Sequence, residues 1–131
     1  MRSATLLLFL LPLAACAAGA PGISGGELRA IDINGAPIVG ERPLTLRLES
    51  GRASGSAGCN SFSGSYRSNG RGELKFGPLE VTRMACDAGL MEQEARYLSI
   101  LDSAESFNRY GGGGVSVIAP DGRAIRFRPA R

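Results

Sequence analysis

The chain has 131 residues, 15 Lys plus Arg against 12 Asp plus Glu, a formal net charge of +3, three cysteines and no histidine or tryptophan. Without histidine the usual general base and any Ser-His-Asp triad are missing, and two cysteines alone do not close a zinc site. The positive excess is small, dispersed and almost entirely arginine, Lys75 being the only lysine, so nucleic acid is not expected as a partner.

Met1-Arg2-Ser3 forms a short positive start, and the apolar run from Ala4 is broken by Pro12. That run is far shorter than the roughly 20 residues of a membrane-spanning helix, and reads as an export signal over residues 1–15. Leu13-Ala14-Ala15-Cys16 matches the pattern of bacterial lipoprotein precursors, in which the cysteine thiol receives diacylglycerol and becomes the new N-terminus. Cys16 is therefore the expected lipid attachment site, and the membrane an expected partner. The competing reading is an ordinary signal cut near Ala18 or Ala20. Residues 16–26 are Ala-, Gly-, Pro- and Ser-rich without apolar periodicity, as in a flexible tether. Residues 27–131 are the size of one small domain.

From Glu27 the pattern is mostly period two, interrupted by glycine-rich turns. In Leu44-Thr45-Leu46-Arg47-Leu48-Glu49 the leucines face one way and the polar residues the other. The alternation returns in Glu73–Phe76, Leu79–Val81, Val115–Val117 and Ala124–Arg128. Pro120-Asp121-Gly122 is a hairpin signal between the last two. Residues 87–103 differ: Leu90, Met91, Ala95, Leu98 and Leu101 fall at helical spacing, with Tyr97 and Ile100 beside the stripe and Glu92, Gln93, Arg96 and Ser99 away from it. Asp87 is the expected N-cap. The fold expected is mostly β with one α-helix, a small antiparallel barrel-like or strongly curved sheet packed against that helix.

Three blocks carry a family resemblance: Gly58-Cys59-Asn60-x-Phe62-x-Gly64-x-Tyr66, then Thr82-Arg83-Met84-Ala85-Cys86, then Met91-x-x-Glu94-x-x-Tyr97-Leu98-x-x-Leu101. In order and spacing they resemble the META domain, a family that includes the HslJ-type heat-shock lipoproteins of bacterial envelopes. The resemblance runs from about Glu27 to Phe127. It implies a compact antiparallel β fold with one helix and a link to stress response, but no shared biochemical activity. One departure is visible: the family usually opens with a tryptophan, and this chain reads Gly26-Glu27-Leu28-Arg29-Ala30-Ile31.

If Cys16 is lipidated, Cys59 and Cys86 remain, and in an exported protein they form most simply a disulfide. Two reduced buried thiols are the alternative; a redox pair would usually be a close Cys-x-x-Cys. Glu92 and Glu94 are the nearest approach to a carboxylate pair, but at i, i+2 they point in different directions. Glu94 falls inside the apolar stripe and is expected to turn inward toward Arg83 or a backbone amide. Asn60 is expected to take a left-handed turn and bond its own backbone. It and Thr82 read mainly as structural residues, with Asn60, Tyr66 and Arg83 as a possible binding rim. The aromatic residues Phe62, Tyr66, Phe76, Tyr97, Phe107, Tyr110 and Phe127 are expected in the core, although Tyr66 and Tyr110 also suit a surface. No enzyme, cofactor or metal site is indicated. Two readings of function follow: a tethered interaction or scaffolding module facing an envelope protein or the cell wall, or a binder of a small hydrophobic ligand or lipid in a barrel cavity. An inhibitor of an envelope enzyme is a third. Ala17 follows Cys16 with no aspartate there, and resemblance to enteric lipoproteins then implies the periplasmic face of the outer membrane, or the outer face of the cell membrane where there is only one.

Overall fold

The computed structural model describes Ile23 and residues 25–131. Ten strands and one helix follow in order: β1 (Gly25–Ile33), β2 (Ala36–Pro37), β3 (Thr45–Glu49), β4 (Arg52–Ser56), β5 (Ser61–Ser68), β6 (Leu74–Phe76), β7 (Glu80–Val81), α1 (Ala88–Ser103), β8 (Ser106–Tyr110), β9 (Gly114–Ile118) and β10 (Ala124–Pro129). The antiparallel sheet runs β6-β5-β4-β3-β1-β10-β9-β8, with β2 beside β1 and β7 beside β5. Its two ends nearly meet. Glu73 bridges Ser106, Leu74 N–H donates to Glu105 O (3.1 Å) and Phe107 N–H donates to Gly72 O (2.8 Å). The molecule is thus mostly β with one helix, an eight-stranded antiparallel barrel closed over part of its height.

Alternation explains which residues line it. Leu44, Leu46 and Leu48 turn inward and meet Leu74, Val117, Ile125 and Phe127 in one buried cluster. Arg47 and Glu49 face solvent. Thr45, unlike these two, is buried, and its Oγ1 accepts from Ser56 N–H (3.0 Å). Asp32 on β1 is also buried, satisfied by Arg126 across the strand pair and by Gly35 N–H. The hairpin signalled by Pro120-Asp121-Gly122 closes through Ala119 N–H to Arg123 O (2.9 Å).

α1 begins where expected, with Asp87 Oδ1 accepting from Leu90 N–H (3.0 Å) as N-cap. Its buried face is rotated from the stripe drawn by apolarity alone. Gln93, Glu94, Tyr97, Ile100 and Leu101 are buried, while Ala95 is exposed and Leu90, Met91 and Leu98 are only partly covered. Gln93 goes inward because both ends of its amide are used, Oε1 accepting from Val39 N–H (2.7 Å) and Nε2 donating to Val39 O (3.0 Å). Hydrogen bonding offsets the desolvation that would otherwise keep an amide outside. Tyr97 penetrates furthest. Its ring lies against Phe62 (centroids 5.9 Å) and Phe127 (6.2 Å), and its hydroxyl donates to Thr45 O (2.8 Å). One helical side chain therefore touches β3, β5 and β10, on different walls of the barrel.

Close approach at Gly55 makes this packing possible. Gly55 faces Phe62 across the β4–β5 pair, and a Cβ there would run into Thr45 O and lie 2.9 Å from Phe62 Cζ. At the chain entrance, Ile23 is buried and Gly25 already opens β1, although composition places both in the tether. A single isoleucine among Gly, Ser and Pro has no periodicity to announce it.

Gly55→Ala is expected to destabilise the domain by about 2 kcal/mol or more, read as a lower urea midpoint. Burial raises the Tyr97 hydroxyl well above its ordinary value of 10.0. The folded chain then keeps a proton that the unfolded chain releases, so stability should fall as pH rises beyond about 10. Tyr97→Phe should lose about 1 kcal/mol at neutral pH and remove that tyrosine's part of the alkaline slope.

Candidate functional site

The segment between β7 and α1 is where the sequence blocks converge. Cys59 and Cys86 are joined by a disulfide across 27 positions. In the chain-entropy picture such a loop contributes roughly 3–4 kcal/mol. The bond fixes the end of the Thr82–Cys86 segment against the turn before β5. Asn60 fixes its middle. Asn60 Oδ1 accepts from Met84 N–H (2.6 Å) and Thr82 Oγ1 (3.0 Å), and Nδ2 donates to Met84 O (3.1 Å) and Glu94 Oε2 (2.8 Å). The Asn60 N–H donates to the other Glu94 oxygen at 2.6 Å. Thr82 Oγ1 in turn accepts from Ser61 N–H (3.1 Å).

This geometry corrects the expectation for Asn60. It does not adopt a left-handed conformation; Gly58, at φ 103°, makes that turn instead. Once the glycine has reversed the chain, the Asn60 side chain is free to bridge to a distant segment and to the helix. Glu94 does turn inward, as expected, and of the two partners expected for it the backbone amide is the one it meets, the Asn60 N–H, and not Arg83. Its two oxygens receive two donors, which is what a buried carboxylate requires. Glu92, two positions earlier, is exposed. Both Glu94 oxygens are occupied by one residue, so the carboxylate serves as a clamp.

Framed by this clamp is an open cleft of about 500 Å³, lined by Asn60, Leu79, Val81, Met84, Met91 and Leu98 among others. Arg83 lines it too and is exposed. Met84 is 51% exposed, an unusual position for a large apolar side chain. Methionine is flexible and polarizable, and is over-used on surfaces that adapt to partners. The cleft also has a polar wall. Thr82 N–H donates to Ser61 O and Glu80 is paired with Ser63, so Val81 between them is a position whose own N–H and C=O point away from β5. Val81 lines the cleft together with Leu98 of α1.

Of the rim named from sequence, Asn60 and Arg83 meet at this cleft. Tyr66 lies further along β5, paired with Phe76 and packed partly against the core. Met84, Met91, Leu98 and the β7 edge were not singled out. The spacing Met91–Leu98 was visible, but as a core stripe; only the rotation of α1 by Gln93 and Glu94 brings those residues to the surface. Among the described residues no cluster of three or more His, Cys, Asp or Glu could hold a metal ion. Cys16 lies outside the described residues, and no described helix is long and apolar enough to cross a membrane.

The META domain family matches residues 22–131. No curated protein matches the chain. Two structures determined by NMR are similar in fold, each with TM-score 0.65 and 22% identity. One is of a protein from Burkholderia xenovorans and covers 94% of this chain and 99% of its own; the other covers 80% and 89%.

Removing the clamp should be costly. Asn60→Ala takes one of its two donors from the buried Glu94 carboxylate and releases both Met84 backbone groups, and is expected to lower stability by about 3 kcal/mol, measured by denaturant unfolding at unchanged m.

Proposed function

This chain belongs to the META domain family, and from that premise we propose that it is a lipid-anchored protein of the bacterial envelope acting as a non-enzymatic interaction module. Cys16, in its Leu-Ala-Ala-Cys setting, carries the lipid; two acyl chains suffice for stable attachment. The periplasmic face of the outer membrane is its place, and support of the envelope under stress its role. The partner is another envelope protein, which presents an extended apolar segment to the cleft between β7 and α1.

The observation that carries this reading is the pairing of an exposed Met84 with a free strand edge. Backbone groups of Val81 offer a short ladder, and Met84, Met91 and Leu98 offer pockets for alternate side chains. Strand addition uses these two elements together: main-chain bonds for affinity, pockets for specificity. A rigid frame lowers the ordering cost of binding, and the disulfide and the Asn60–Glu94 clamp supply that frame.

A small hydrophobic ligand is the second reading, favoured by the volume of the same cleft, which is within the range of ligand pockets. The barrel interior is a poorer place for it. Tyr97, Phe127, Ile125 and the leucines fill that space, and a ligand would have to displace them.

The two readings separate in cells. A photo-crosslinking residue in place of Met84, in the anchored full-length protein, should yield a discrete protein adduct that the same residue at Ser116 does not. Equal labelling at both positions would count against the interaction module. A small-molecule mass increment at Met84 alone would transfer the cleft to the ligand reading.

A further inference from the structure

The two ends of the barrel differ in charge. Strand pairing puts the entrance to β1, the β3–β4, β5–β6 and β8–β9 turns and the C-terminus at one end: Gly25 pairs with Leu48, Ser68 with Leu74, Tyr110 with Gly114 and Leu28 with Pro129. Ile23 is buried there, its N–H donating to Ser68 Oγ (3.2 Å). Around this mouth stand Arg52, Arg67, Arg71, Arg109, Arg128 and Arg131, all exposed, interspersed with Glu27, Glu49 and Glu73. The opposite end, with α1 and the cleft, carries Glu41, Glu80, Asp87, Glu92, Asp102 and Asp121. Arg42, Arg83, Arg96 and Arg123 are there too, Arg123 paired with Asp121. A chain of small net charge is thus sorted into a basic end and an acidic end.

From this sorting we propose that the basic mouth is a seat for anionic phospholipid headgroups. It holds the barrel upright, with the acidic end and the cleft turned away from the bilayer. The proposal rests on the lipid-anchored reading only for what first brings the domain to the membrane. The direction of the chain argues for it. The segment leading back to Cys16 leaves from the basic mouth, and from Cys16 to Ile23 it spans at most on the order of 25 Å. Surface potential decays over about 8 Å at physiological salt, so charge on a face that touches the bilayer counts and charge on the far end does not. Arginine suits phosphate oxygens through its paired donors. A basic residue near an anionic surface shifts occupancy by about fivefold, so several act together, and the acidic end is repelled.

The test uses the full chain, processed by its host and incorporated into vesicles of phosphatidylcholine alone or with phosphatidylglycerol added. A fluorophore is attached through Ser50→Cys on the β3–β4 turn or through Pro120→Cys at the other end, and a nitroxide on the headgroups quenches it. With phosphatidylglycerol, the Ser50 position should be quenched and the Pro120 position spared. High salt, or Arg52→Glu with Arg71→Glu, should reverse this, the double variant lowering the ratio of seated to free domain by roughly 25-fold or more. Both sites are exposed, and an unchanged melting profile checks the fold of that variant. Equal quenching at the two positions, or quenching indifferent to phosphatidylglycerol, overturns the seat. Failure of the anchor reads differently: the chain then fails to float with phosphatidylcholine vesicles. Salt-sensitive flotation with phosphatidylglycerol alone would in that case still support the basic seat.

Discussion

The carboxamide of Asn60 is the point through which barrel, connecting segment and helix are held in one geometry. It accepts from Met84 and Thr82 and donates to Met84 and Glu94, while its own backbone N–H takes the second Glu94 oxygen. An amide is the side chain that can accept and donate at once along both directions. A carboxylate in its place would repel Glu94, and a hydroxyl would not span the gap. The Thr82–Cys86 segment has no ladder partner beyond Thr82, so these bonds and the disulfide are what keep it ordered. Met84 is exposed while its backbone N–H and C=O are both held by Asn60.

This division of labour separates the stable part of the molecule from the part available for recognition. Leucines from β3, aromatic rings from β5 and β10 and Tyr97 from α1 fill the barrel. A filled barrel recognises through its outside. The recess lies beside the short β7, while β6 meets α1 and the start of β8. The same asymmetry gives the barrel a direction, with the chain entrance at the basic mouth and the cleft at the opposite end.

Much of the fold was legible because period-two and period-3.6 patterns follow from burial alone. The leucines of β3, the Asp121-Gly122 hairpin and the capping by Asp87 all fell where the spacing put them. What escaped depends on long-range polar contacts. Gln93 faces inward because Val39 meets it from 54 positions away, and no local pattern marks that pairing. Rotating α1 to bury Gln93 and Glu94 pushes Met91 and Leu98 outward, which converts an apparent core stripe into a cleft wall. Asparagine after Gly-Cys suits a left-handed turn, but Gly58 takes that position here and leaves Asn60 its structural role as a bridge. Glu94 was legible as an inward residue meeting a backbone amide, but which amide, and the second bond from the Asn60 side chain, depended on a contact 34 positions away. Ile23 shows the limit of composition: one apolar residue seals a mouth without any periodicity.

Native-state hydrogen exchange at the Met84 and Asn60 amides tests the clamp most directly, since both protons are held only by side-chain acceptors. If Asn60 and Glu94 bind the connecting segment to the barrel as one unit, these amides should exchange as slowly as those of Tyr97 and Ile125, through global unfolding. Rapid exchange at Met84 while the core stays protected would mean that the segment opens independently, and that the cleft has no fixed frame.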